Sequence, residues 1–118
     1  MSRSIALVLD CYDPPSLAEF WAEAMGYTIR GGTPNGQYVM LKPSEGDGPK
    51  LLLQKVPEEK HVKNRMHIDV HVPDIEGEAE RLEKLGAARL DPEPVTEFDT
   101  AWIRMSDPQG NEFCICRE

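Results

Sequence analysis

Apolar and polar residues alternate through Met66-His67-Ile68-Asp69-Val70-His71-Val72, with Met66, Ile68, Val70 and Val72 on one parity and His67, Asp69 and His71 on the other. Successive side chains of a strand point to opposite faces, so residues 64–74 read as a strand with an apolar row on one side. The other side carries two imidazoles and a carboxylate. The period then changes: Asp74 as a cap, Ala79, Leu82 and Leu85 at helical spacing and Gly86 as a stop predict a helix that covers the apolar row.

The same alternation in Ser4 to Asp10 predicts a strand with Ile5, Leu7 and Leu9 facing the core. Asp13-Pro14-Pro15-Ser16 opens a helix, since proline is tolerated in the first turn, and it runs to Gly26 with Leu17, Phe20, Trp21 and Ala24 as its buried stripe. Three strands follow, Tyr27 to Arg30, Gln37 to Lys42 and Lys50 to Val56, separated by Gly- and Pro-rich breakers. A charged stretch, 57–65, divides the chain. Beyond the second helix come an extended piece at Ala88 to Leu90, the Pro-rich 91–94, a strand around Ala101 to Ser106, the turn Asp107-Pro108-Gln109-Gly110, and a last strand from Asn111 to Arg117.

The halves are alike. Laying Asp13 on Asp74 and Gly26 on Gly86 requires offsets that agree within one residue, which predicts a tandem βαβββ repeat in an α+β fold. Module one spans about 3–56, the linker about 57–65 and module two about 66–118 of a single domain. In this alignment His67 falls on Ala6, Asp69 on Val8, His71 on Asp10 and Cys114 on Gln54.

Composition narrows the function classes. The chain has 118 residues, the size of one ordinary domain. A formal charge of -8 and a pI near 4.9 oppose a surface that neutralises phosphates, so no nucleic-acid partner is expected and a small-molecule ligand is. The longest apolar runs, Ile5 to Leu9 and Leu51 to Leu53, fall far short of the roughly 20 residues of a membrane span. No basic and apolar leader precedes Ser4, and three cysteines leave an odd one, so a cytoplasmic home is expected.

Several side chains carry candidate chemistry. His67 suits acid/base work because imidazole titrates near neutrality, and Asp69 is placed to orient its ring. Trp102 offers a flat face and an indole N–H to a ligand, and Arg104, on the same parity, offers a fork to an anion. Cys114 and Cys116 read either as a reactive pair or as small buried hydrophobes.

Four stretches together carry a resemblance: Asp13-Pro14 through Phe20-Trp21 to Gly26, the run Lys63 to Val70, the ending Leu85-Gly86-Ala87, and Asp107-Pro108-Gln109-Gly110-Asn111-Glu112-Phe113. In this order the chain resembles the vicinal oxygen chelate superfamily, in particular glyoxalase-like domains of the glyoxalase and bleomycin-resistance type. The resemblance implies two βαβββ modules whose mixed sheets curve around one cup, with helices outside, and a homodimer. It also implies, for the enzymes, a divalent metal held from the first and last strands of each module, at positions that fall here on Ala6, Gln54, His67 and Cys114. Of these only His67 is the expected kind of ligand, so no cofactor is expected, with His67, Gln54 and Cys114 as weak candidate metal ligands.

The expectation is a small-molecule-binding protein whose cup, lined by Gln54, His67, Asp69, His71, Trp102, Arg104 and Cys114, does not depend on a tight metal. As an enzyme it would use His67 as acid/base, oriented by Asp69 or Gln54, on a carbonyl substrate. The alternatives are a drug- or metabolite-sequestering protein and a metal-dependent lyase, isomerase or dioxygenase.

Overall fold

In the computed structural model, which describes residues 4–97 and 99–118, the chain divides after Glu59 into two units. The first unit runs β1 (Ala6–Cys11), α1 (Pro14–Met25), β2 (Tyr27–Gly32), β3 (Tyr38–Pro43) and β4 (Lys50–Lys55). Its sheet has the order β1-β4-β3-β2, with β1 parallel to β4 and the other pairs antiparallel. The helix begins where the sequence permits: Pro14 and Pro15 occupy its first turn, where no backbone donor is needed, and Asp13 Oδ1 accepts from the Ser16 N–H at 3.4 Å. It ends at Gly26, whose φ of 68° suits glycine. Leu17, Phe20, Trp21 and Ala24 are buried as expected, along with Ala18, against β3 and β4, whose Val39, Leu41, Leu51 and Leu53 are buried too.

Ile5 departs from expectation. It is 74 % exposed, because the ladder with β4 starts only at Ala6 and leaves the preceding residue without a neighbour.

The second unit runs β5 (Ile68–Val72), α2 (Ile75–Lys84), β6 (Ala88–Arg89), β7 (Val95–Glu97), β8 (Thr100–Ser106) and β9 (Glu112–Arg117). Its sheet has the order β5-β9-β8-β6, with β7 also paired to β8, and β5 lies parallel to β9 as β1 does to β4. Asp74 Oδ1 caps α2 by accepting from the Gly77 N–H at 3.0 Å. The helix buries Ile75, Ala79 and Leu82 on the side of the sheet that carries Ile103, Met105, Phe113 and Ile115. Each unit thus follows the expected α+β plan of strand, helix and further strands.

Three further details differ from the sequence expectation. The strand anticipated over 64–74 contracts to Ile68–Val72, and Met66 leaves the apolar row and is 80 % exposed, since the first rung joins Ile68 to Phe113. Strand β7 was not anticipated: three residues directly after Pro92 and Pro94 hold too little alternation to register.

The third difference is in register. Leu7 pairs with Leu51 and Leu9 with Leu53, whereas Ile68 pairs with Phe113 and Val70 with Ile115. Leu52, not Gln54, is therefore the counterpart of Cys114, and Gln54 answers to Cys116. The helix-end offset could not carry this far, because Gly26 precedes Leu52 by 26 residues and Gly86 precedes Cys114 by 28. Among the described residues no helix is long and apolar enough to cross a membrane.

Candidate functional site

The site is set by the turn that joins β8 to β9. Asp107 is 3 % exposed, and its Oδ1 accepts from the backbone N–H of Gln109 at 2.9 Å and of Asn111 at 3.0 Å, while its own N–H donates to the Asn111 carbonyl at 2.8 Å. Gly110 has a φ of 90°, which a residue with a Cβ adopts only under strain. With the turn fixed, Arg104 lies opposite Cys114 and Trp102 opposite Cys116. On the other side of β9, Asp69 lies opposite Cys114 and His71 opposite Cys116. Two rungs result, Arg104-Cys114-Asp69 and Trp102-Cys116-His71, both on the face turned away from α2. A cavity of about 440 Å³ lies over this face.

His67 reaches the cavity from just ahead of β5. Its Nε2 is 3.2 Å from Asp69 Oδ1, with the two side chains 40 % and 44 % exposed. Val62 and Met66 are exposed and cannot anchor this stretch, and Glu112 does so instead. Its carboxylate accepts from Lys60 Nζ at 2.9 Å and from the Asn64 N–H at 2.8 Å, while its carbonyl accepts from Asn64 Nδ2 at 3.3 Å. Lys60 Nζ also donates to the Val62 carbonyl. Partial burial pushes the Glu112 carboxyl upward, but the Asn64 and Lys60 donors outweigh it and hold the group below its ordinary range.

Arg104 is already engaged. Its Nε and Nη2 donate to Asp91 Oδ2 at 2.6 Å and Oδ1 at 2.8 Å, a side-on pair that leaves Nη1 unused among the described residues. Hydrogen bonding to Arg104 holds Asp91 below its usual range.

The thiols are poor nucleophiles here. Burial first, and then the Asp69 charge, the neighbouring Cys114 and a hydrogen bond to Asp69, push Cys116 up to about 11. Burial and the Asp69 charge raise Cys114 as well, against the pull of Arg104 and Lys63. No cysteine forms a disulfide. The geometry favours the reading of small, partly buried thiols over that of a reactive pair.

Asp69 is the metal-donor candidate that sequence reasoning left out, since donor atoms of His67, Asp69 and Cys114 all lie within 4.8 Å of one another. The set nonetheless fits a divalent ion poorly. Burial and the Asp69 charge raise the Cys114 thiol, so ligation would have to release its proton, and the charges of Arg104 and Lys63 act at the same atom. The first unit supplies no donor at the positions equivalent to His67 and Cys114, which are Ala6 and Leu52. Gln54 is half-buried on β4 of the first unit. The six remaining expected residues, His67, Asp69, His71, Trp102, Arg104 and Cys114, all line the cavity of the second unit, joined by Lys63, Glu112 and Cys116, which were not expected there.

The family model described as Glyoxalase-like domain matches residues 6–116. Among solved structures, the chain is similar to a glyoxalase/bleomycin resistance protein/dioxygenase family enzyme from Burkholderia phytofirmans PsJN, with a TM-score of 0.76, 12% identity and 95% of each chain covered. A member of the same superfamily from Sphaerobacter thermophilus DSM 20745 gives a TM-score of 0.74 at 18% identity, over 100% of this chain and 98% of that one. Hypothetical protein SA1046 from S. aureus gives 0.72 at 17% identity, over 100% and 95%. At such identities the likeness is one of fold. No curated protein matches the chain in sequence.

Proposed function

We propose, for a chain that belongs to the glyoxalase-like domain family, that it binds a small molecule over the polar face of its second sheet and that His67, oriented by Asp69, moves a proton on it. The observation that carries this reading is the 3.2 Å pairing of His67 Nε2 with Asp69 Oδ1 at the wall of the cavity. A volume of about 440 Å³ lies within the range of small-ligand pockets, and polar groups converge on it beside Leu90, Trp102 and Phe113.

The chemistry follows from the donor inventory. With Nε2 turned to a carboxylate, the neutral ring keeps its proton there, and Nδ1 holds the lone pair. Nδ1 then takes a proton from the carbon beside a carbonyl and returns it, while the Asp69 charge stabilises the imidazolium formed between the two steps. Trp102 supplies a flat wall for the ligand. The mechanism needs no metal, consistent with the donor set.

Solvent deuterium incorporation into a panel of enolisable ketones and aldehydes, followed by NMR, tests the reading. A positioned acid/base group contributes about 100-fold to 10,000-fold, so His67→Gln should lower turnover by that factor and leave affinity nearly unchanged. A variant that exchanges as fast as the parent takes His67 out of the mechanism.

A sequestering module without chemistry is the second reading. It is favoured by the exposure of the His67 and Asp69 side chains, 40 % and 44 %, which lets water reach the pair. Saturable binding with no exchange and no product across the panel would select it. We further propose that the chain is a homodimer, which sedimentation equilibrium tests.

A further inference from the structure

Building on the small-molecule reading above, we propose that the ligand is an anion, a flat aryl carboxylate, with its carboxylate over Cys114 between Arg104 and Lys63 and its ring along Trp102. The chain as a whole carries -8, yet cations gather at the cavity wall. Lys63, Arg104 and Arg117 line it against two carboxylates, Asp69 and Glu112. Both carboxylates are already met by donors: Glu112 by Lys60 at 2.9 Å and Asn64 at 2.8 Å, and Asp69 by His67 at 3.2 Å. An incoming cation would find Lys63 and Arg117 and, in Asp69, Glu112 and the Asp91 that holds Arg104, carboxylates already met by donors.

An incoming carboxylate finds donors. The guanidinium has five N–H groups and spends two on Asp91, so Nη1 and the second hydrogen of Nη2 remain, on a fork that Asp91 holds in place. Cys114 sits directly opposite Arg104 in the ladder, and a thiol presents a weak S–H donor. Lys63 comes from the segment ahead of β5 and lines the same cavity, while Asp69, within 4.8 Å of the thiol, has its carboxylate turned to His67.

Ring placement follows from strand geometry. Trp102 and Arg104 are two residues apart on one face of β8, about 6–7 Å along the strand, which is about the length of a carboxylate attached to one aromatic ring. A carboxylate on the Arg104 rung therefore lays its ring toward the indole.

Three matched probes separate the possibilities: benzoate, benzamide and benzylamine, titrated into the full ¹⁵N-labelled chain at low ionic strength while the β8 and β9 amides and the Trp102 indole are followed. Charge-assisted hydrogen bonds predict benzoate binding about tenfold more tightly than benzamide, with benzylamine weakest. Lys63→Gln and Arg104→Gln should each weaken benzoate more than benzamide and so cut the preference for benzoate; Lys63 lies outside every strand among the described residues, so its variant keeps the test sound if Arg104→Gln perturbs folding. Benzamide or benzylamine binding as tightly as benzoate at Trp102, or a benzoate preference that survives both variants, overturns the anion assignment and leaves the pocket reading standing. Absence of site shifts with all three probes overturns both.

Discussion

Cys116 gives the most direct check on the electrostatics of the site. A thiol ionising at about 11 instead of the ordinary 9.0 holds, at pH 8, about 100-fold less thiolate, and the thiolate is the species that alkylates. Iodoacetamide labelling, with Cys116 resolved by tandem mass spectrometry, should therefore keep accelerating with pH past 9 and level off only near 11. Asp69→Asn removes the adjacent charge and the hydrogen bond but leaves the burial that comes first among the causes. It should bring the plateau part of the way back and raise the pH 8 rate by roughly tenfold. The sign for stability follows: the folded state binds this proton more tightly than the unfolded chain, so the contribution is complete below about pH 9 and is lost as pH climbs towards 11. Urea titrations should show a steeper alkaline decline in the parent than in Cys116→Ala. A parent whose labelling levels off near pH 9, or an Asp69→Asn profile that overlays the parent's, would refute the placement of Asp69 against this thiol.

Two helix and turn positions give further expectations. A Cβ on Gly77 would collide with Asp74 Oδ2, so Gly77→Ala should gain about 1 kcal/mol of helix propensity and lose about as much in the cap. Made in an Asp74→Ala background, the same change should stabilise by about 1 kcal/mol; equal effects in both backgrounds by urea denaturation would contradict the cap geometry. Gly110→Ala at a φ of 90° should cost about 1–3 kcal/mol and shift the amide resonances of Arg104 and Cys114, which the turn holds in register.

Much of this arrangement could be read from the residues because it depends on local rules. Parity alone put Asp69 and His71 on one face, and the caps Asp13 and Asp74 located both helices, since each signal is contained in a few neighbouring residues. Parts of the site that depend on distant partners were silent. Nothing near Arg104 announces Asp91, 13 residues away in a Pro-rich loop, and nothing marks Glu112 as the anchor of residues 60–64 across the sheet. The Gln54 assignment failed by two residues because a connecting segment differs in length between the halves, and parity cannot detect an even shift. Total charge is silent on the site as well, since -8 is a sum over the surface while a ligand senses only the wall it meets.

The replacement of His67 and Cys114 by Ala6 and Leu52 in the equivalent rungs has a use beyond the question of metals. One polypeptide holds two copies of a βαβ scaffold, one with the row of His67, Asp69 and Cys114 and one without it. Each experiment on the second copy therefore carries its own reference: a reagent that attacks thiols or imidazoles on a sheet face has targets on one and meets Ala6, Val8 and Leu52 on the other. Grafting His, Asp and Cys at those three positions would ask whether the row alone, set on a second ladder of the same form, is enough to transplant the chemistry.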